Sequence, residues 1–126
     1  MTFIRSISSN AILEFFPATE DKSWYFKVYE EFSVAWKDSS YTVEKGFETD
    51  LASIPQLFQN IVPLIGNHVQ AAILHDWCYK NGVLPKKDAD DLFLDTMEFL
   101  GVPWWRRRVM YRAVKLFGGS SYKGVQ

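Results

Sequence analysis

Between Trp24 and Trp36 the large apolar side chains fall on every second residue: Trp24, Phe26, Val28, Phe32, Val34 and Trp36. Tyr25, Lys27, Glu31, Ser33 and Lys37 sit between or beside them. A period of two cannot give a helix a single buried face. It predicts a half-buried strand or strand pair with one aromatic side. Glu30 falls on that apolar side, which predicts a bulge or bend at this point. Ala11 to Phe16 is a second short apolar run, ending at Pro17. Asp38-Ser39-Ser40 is turn chemistry, and Tyr41-Thr42-Val43 is β-prone up to the interruption at Gly46. The first half is therefore expected to form a small antiparallel sheet.

Beyond residue 66 the period changes. Gly66-Asn67 offers an N-cap, and His68 to Lys80 meets no breaker until Asn81-Gly82. Pro85 opens a second helix with Ala89, Phe93, Met97 and Leu100 on one face and Gly101 at its end. Pro103 opens a third, with Met110, Ala113, Val114 and Phe117 inward and Gly118-Gly119 closing it. A further short helix is expected at Gln56 to Ile61. The short turn at Asn81–Leu84 should set the first two main helices antiparallel. The fold class expected is α+β: one domain over residues 1–119, sheet first and three main helices after. Residues 120–126 are expected to be a flexible or partner-bound tail.

At 126 residues there is room for one compact domain, and 48% hydrophobic with 17% aromatic residues excludes extensive disorder. Cys78 stands alone, so no internal disulfide can form, and two histidines beside it leave too few ligands for structural zinc. No signal peptide is visible at Met1 to Ser6, and no run approaches the roughly 20 apolar residues of a membrane helix. A soluble protein made in a reducing cytoplasm is the expectation. The net charge of −1 argues against a dedicated nucleic-acid binder. It conceals an asymmetry, −4 over residues 1–66 and +3 over residues 67–126, with six basic residues and no acid after 101. In Trp104-Trp105-Arg106-Arg107-Arg108 three cations oppose the dipole at a helix start. That conflict points to a partner for Arg106, Arg107 and Arg108, either the acidic half or a neighbouring subunit; the alternative is a solvated face with a tryptophan packed inward.

The chemistry-bearing segment is Ala71 to Tyr79. On a helix, His68, Ala72, His75 and Tyr79 share a face, with Asp76 beside it. A histidine and a carboxylate in an apolar helix are costly to bury without partners. They serve either as a general base beside a metal-binding or orienting carboxylate, or as a structural hydrogen-bonding pair. On the next helix Asp88, Asp91, Asp95 and Glu98 form an acidic stripe, whereas Asp90 lies at the edge of the apolar face. Antiparallel packing can bring Asp90 to His75, giving a base oriented by a second carboxylate. Alternatively Asp90 simply complements the helix dipole. Cys78 reads as a small buried residue.

The pattern His75-Asp76-x-x-Tyr79, followed by Ala89-Asp90-x-x-Phe93, resembles the catalytic helix pair of phospholipase A₂ enzymes over about 30 residues. That resemblance implies His75 as the base that activates water, Asp90 as its orienter, Tyr79 in support and Asp76 as a calcium ligand. The glycine-rich calcium loop that precedes the helix in that family is here Ile61-Val62-Pro63-Leu64-Ile65-Gly66, with one glycine.

A longer series runs in order from Val43 to Gly118. It comprises Gly46-Phe47-Glu48-Thr49-Asp50-Leu51-Ala52-Ser53-Ile54-Pro55, Ala72-x-x-His75-Asp76-x-x-Tyr79, Ala89-Asp90-x-x-Phe93 and Met110-Tyr111-x-Ala113-Val114-x-x-Phe117-Gly118. It resembles the phage and prophage family catalogued as domain of unknown function 1353. This implies a bacteriophage or prophage gene; the product is expected in the host bacterial cytoplasm when made, with incorporation in the virion as the alternative destination. In the Thr49-Asp50-x-x-Ser53-x-Pro55 block, Asp50 and Ser53 either cap the following helix or Asp50 supplies a metal oxygen; no nucleophile elbow surrounds Ser53. Two functions follow as expectations. One is a metal-assisted hydrolase, with calcium as its ion, acting on a host-envelope ester. The other is a non-catalytic virion or assembly component that contacts phage proteins or its own copy.

Overall fold

A computed structural model describes residues 2–50 and 68–122, the side chains of residues 117, 120 and 121 excepted. The short helix expected at Gln56–Ile61, the Gly66-Asn67 cap, Ser53 and the inward side chain of Phe117 lie outside the described residues. Among the described residues six strands precede three α-helices, so the architecture is α+β: β1 (Ile4–Ile7), β2 (Leu13–Phe16), β3 (Tyr25–Val28), β4 (Phe32–Trp36), β5 (Ser39–Val43), β6 (Glu48–Thr49), α1 (His68–Asn81), α2 (Lys86–Phe99) and α3 (Trp104–Phe117). The chain divides into two compact units, one holding the strands (Phe3–Leu51), the other the helices (Met1–Thr2 and Ala52–Gln126).

The strand unit contains two three-stranded antiparallel sheets rather than one, in the orders β1-β4-β5 and β2-β3-β6. The alternation from Phe26 to Trp36 is retained, and Phe26, Val28, Phe32, Val34 and Trp36 are all buried. Each such burial contributes about 1.5–3 kcal/mol. At Tyr29-Glu30 the chain bends and both residues are exposed, so the two halves of the alternating stretch enter different sheets. An ionisable side chain in the middle of an apolar row is cheapest at a break between strands, where water reaches it. The β4–β5 hairpin turns over Lys37 and Asp38, with Trp36 opposite Ser39 and Lys37 at φ 53°. Gly46, at φ 90°, takes a conformation that strains any other residue. It lets its own N–H reach Val28 O at 2.8 Å, beside the bond from Val28 N–H to Phe47 O.

In the helical unit α1 is buried on nearly every side, with Ala71, Ala72, Ile73, Leu74 and Cys78 all inaccessible. A helix in this position is central to its unit, not a surface stripe. Leu92, Phe93 and Met97 of α2 and Met110, Ala113 and Val114 of α3 complete the core. Pro85 and Pro103 occupy the N-cap positions of α2 and α3. Tyr79 contacts Lys86, and His75 contacts Asp90 and Phe93, so rising numbers on one helix meet falling numbers on the other. Helices α1 and α2 are therefore antiparallel. No described helix is long and apolar enough to cross a membrane.

Candidate functional site

The antiparallel hairpin of α1 and α2 brings together three of the side chains singled out in the sequence. His75 Nε2 lies 2.7 Å from Asp90 Oδ1, and the Tyr79 hydroxyl donates to the same oxygen at 2.5 Å. His75 and Tyr79, one turn apart, present their rings to α2; their centroids are 4.1 Å apart, and Phe93 backs the imidazole at 4.7 Å. The other carboxylate oxygen accepts from Lys86 Nζ at 2.8 Å. Lys86 also donates to the carbonyls of Val114 and Lys115, at 3.0 and 3.3 Å, near the end of α3. Asp90 thus ties all three helices together. Exposure is 1% for His75, 2% for Asp90 and 0% for Tyr79.

Burial decides the charge states. It pulls the His75 pKa below its ordinary 6.5, outweighing the opposite pull of Asp90. Burial on its own would raise the Asp90 carboxyl. The hydrogen bonds from His75, Lys86 and Tyr79 reverse that and hold it below the usual 3.8. Tyr79 is pushed far above the phenol range, first by burial and then by its bond to Asp90. An ionised Asp90 facing a neutral imidazole needs hydrogen on Nε2, which leaves the lone pair on Nδ1.

Two expected outcomes follow from these states. Tyr79→Phe keeps the ring and deletes one charge-assisted bond, so it should cost about 1.5–3 kcal/mol in urea unfolding. A loss below about 0.5 kcal/mol would mean that the bond contributes little. Acid should destabilise the fold as well. Unfolded His75 takes a proton below pH 6.5 while the folded residue resists it, so stability falls with pH through that window. The slope contributed by this residue is at most about 1.4 kcal/mol per pH unit. The Asp90 contribution is present above 3.8 and disappears only at lower pH, as the pH falls through its folded value. Melting temperatures measured across this range should show a shallower slope in His75→Gln; equal slopes would exclude His75 as the source.

Asp76 and Asp50 are the other residues expected at the site. Asp76 is buried, with its carboxylate 3.3 Å from Lys80 Nζ. Asp50 is exposed after β6, in the strand unit. Calcium takes six to eight oxygens. Among the described residues no three His, Cys, Asp or Glu side chains gather to hold a metal ion. Cys78 is buried and its thiol pushed up to about 12 by burial, which makes it inert.

Two contributors escaped the sequence reading. Lys86 stands four residues before Asp90, a spacing that places the pair on one helix face and was available as a signal. Tyr122, within the expected tail, is buried edge-on against Tyr79 with centroids 5.2 Å apart, and its hydroxyl donates to Leu84 O at 2.7 Å. No local pattern announces that contact. The basic run also divides. Arg107 turns back to Val102 O and to Glu98, at 2.9 and 3.7 Å, and Arg106 is half-buried, leaving Arg108 outward.

A model of one protein family, described as proteins of unknown function (DUF1353), matches residues 26–114, from β3 into α3. The chain belongs to the DUF1353 family. Among curated proteins, this DUF1353 chain is similar to two from Sinorhizobium fredii (strain NBRC 101917 / NGR234), both described as uncharacterized. One, y4jT, is 34% identical over 80 residues, covering 62% of this chain and 24% of the relative. The other, y4iH, is 33% identical over 87 residues, covering 68% and 34%. The DUF1353 chain therefore spans about a quarter to a third of the length of these relatives. No solved structure gives a significant match.

Proposed function

We propose that this chain is a small phage- or prophage-encoded hydrolase that uses His75 as a general base on an ester of the host envelope. The observation that supports this most directly is the His75–Asp90 bond of 2.7 Å, with Tyr79 on the same carboxylate oxygen. Asp90 fixes the ring and its tautomer, and burial keeps the imidazole neutral. In the proposed step Nδ1 takes a proton from water as the water oxygen attacks the ester carbonyl. The resulting imidazolium then protonates the departing alkoxide, so the base is regenerated with the acid and alcohol released. Asp90 remains ionised throughout and stabilises the imidazolium. The resemblance to phospholipase A₂ would put calcium on Asp76, and added calcium is therefore a variable of the test.

The closure of the cluster supports a second reading, in which the chain is a non-catalytic virion or assembly component. The His75 and Asp90 side chains are 0% and 3% accessible, and their bonds connect helices without opening to solvent. Arg108 and its basic neighbours would then meet other phage proteins or a second copy. Fatty-acid release from phospholipid vesicles, with and without calcium, separates the two. Turnover by the chain that is absent in a folded His75→Gln variant supports the hydrolase. A folded, inactive wild type under both conditions supports the structural reading.

A further inference from the structure

The outward side of α3 carries an unusual mixture. Trp104, Trp105 and Leu116 are 64%, 47% and 72% exposed, and Arg108, Arg112 and Lys115 emerge among them. At 100° per residue these six fall within one side of the helix, opposite the buried Met110, Ala113 and Val114. Single exposed apolar residues are ordinary, but three on one side of a fourteen-residue helix, interleaved with cations, are not. The cations there face no acid of their own helix, since no Asp or Glu occurs after residue 101.

Two depressions adjoin on this side. One, of about 430 Å³, is lined by Trp104, Trp105, Val109 and the stems of Arg108 and Arg112. The other, of about 450 Å³, is of mixed character: Leu94 and Tyr111 line it beside the cations Arg107, Arg108, Arg112 and Lys115 and the carboxylates of Asp95 and Glu98. Arg108 and Arg112 line both. The surface therefore passes from aromatic to cationic across two shared arginines. Four cations and two carboxylates line this second depression, a net charge of +2, and one of the carboxylates, Glu98, is engaged with Arg107 at 3.7 Å.

We propose that this side of α3 docks on an anionic phospholipid bilayer, with Arg108 and Arg112 at the headgroup phosphates and Trp104, Trp105 and Leu116 entering the interface. Charge complementarity selects the partner. A membrane surface offers anionic oxygens and, a few ångströms deeper, an apolar layer, so it can take both kinds of side chain on this face. A nucleic-acid strand could stack on the tryptophans and pair with the arginines, but it offers Leu116 nothing apolar to enter. The docking surface is separate from the His75 cluster, and its test reads binding without turnover, so the two proposals fail independently.

Co-sedimentation of the full chain with phosphatidylcholine vesicles, with and without phosphatidylglycerol, tests it. Binding is expected only to the phosphatidylglycerol vesicles, and to weaken as salt is raised. The double variant Arg108→Gln/Arg112→Gln should bind roughly thirtyfold more weakly at unchanged melting temperature. Trp104→Ala should also weaken binding, because an exposed side chain can be removed without disturbing the core. Equal binding to both vesicle types, or variants that bind like wild type, overturns the proposal. So does retention on single-stranded DNA with no vesicle binding. A dimer that Trp104→Ala disperses, with no vesicle binding, would reassign the surface to self-association.

Discussion

Asp90→Ala is expected to lower the stability of the fold by about 3–5 kcal/mol, among the largest effects available to a single substitution here. The reason lies in what remains behind. Lys86 keeps its carbonyl partners on α3 but loses the only carboxylate within 4 Å among its described contacts. The Nε2–H of His75 and the Tyr79 hydroxyl, both buried, lose their acceptor. Each deserted donor carries its own desolvation cost. Asp90→Asn should fall between wild type and alanine, because the amide oxygen can still accept from His75 and Tyr79 while its NH₂ opposes the Lys86 ammonium. Adding Lys86→Met to Asp90→Ala should recover part of the loss by removing the stranded cation. Urea unfolding of the four proteins checks this. A loss under about 1 kcal/mol for Asp90→Ala, or no recovery in the double variant, would show that the cluster does not bind the helices together.

On the proposed hydrolase reading, His75→Gln reduces ester hydrolysis by about 10²–10⁴-fold, the range in which a positioned general base contributes. The glutamine amide can still donate towards Asp90, so the change removes the Nδ1 lone pair while retaining much of the bonding. Asp90→Asn should also slow turnover, through the ring's orientation and tautomer, whereas Tyr79→Phe should act mainly on stability. Initial rates on phospholipid vesicles for folded protein, confirmed by melting, provide the measurement. A His75→Gln protein that hydrolyses as fast as wild type would place the base elsewhere.

Much of the helical half was legible because its punctuation is local. Pro85, Pro103 and Asn81-Gly82 each fix an end through their own backbone constraints, and the helices begin and stop beside them. The His75–Asp90 contact was legible for a related reason. A short connection forces the two helices antiparallel, and their facing positions can be counted from the turn. The strands were less transparent. The even spacing resumes in phase after Glu30, whose charge marks a bend, but nothing in it says that the two halves join separate sheets. Which strands pair is decided by contacts between distant residues, such as Ile4 with Trp36. Lys86 was overlooked because a lysine at the start of a helix ordinarily reaches water, and its burial depends on α3 arriving over it.

The three helices are joined through Asp90 at very unequal distances along the chain. His75 and Tyr79 are only 15 and 11 residues from it, while Lys86 reaches Val114 across 28. Closing a short loop sacrifices less chain entropy than closing a long one, and contacts of low sequence separation form soonest. The helical hairpin can therefore assemble its polar cluster before α3 is in place. The ammonium of Lys86 then serves as a latch for the last helix, already held by the carboxylate when the carbonyls of Val114 and Lys115 arrive. Order of assembly, as well as final stability, is written into the position of one lysine.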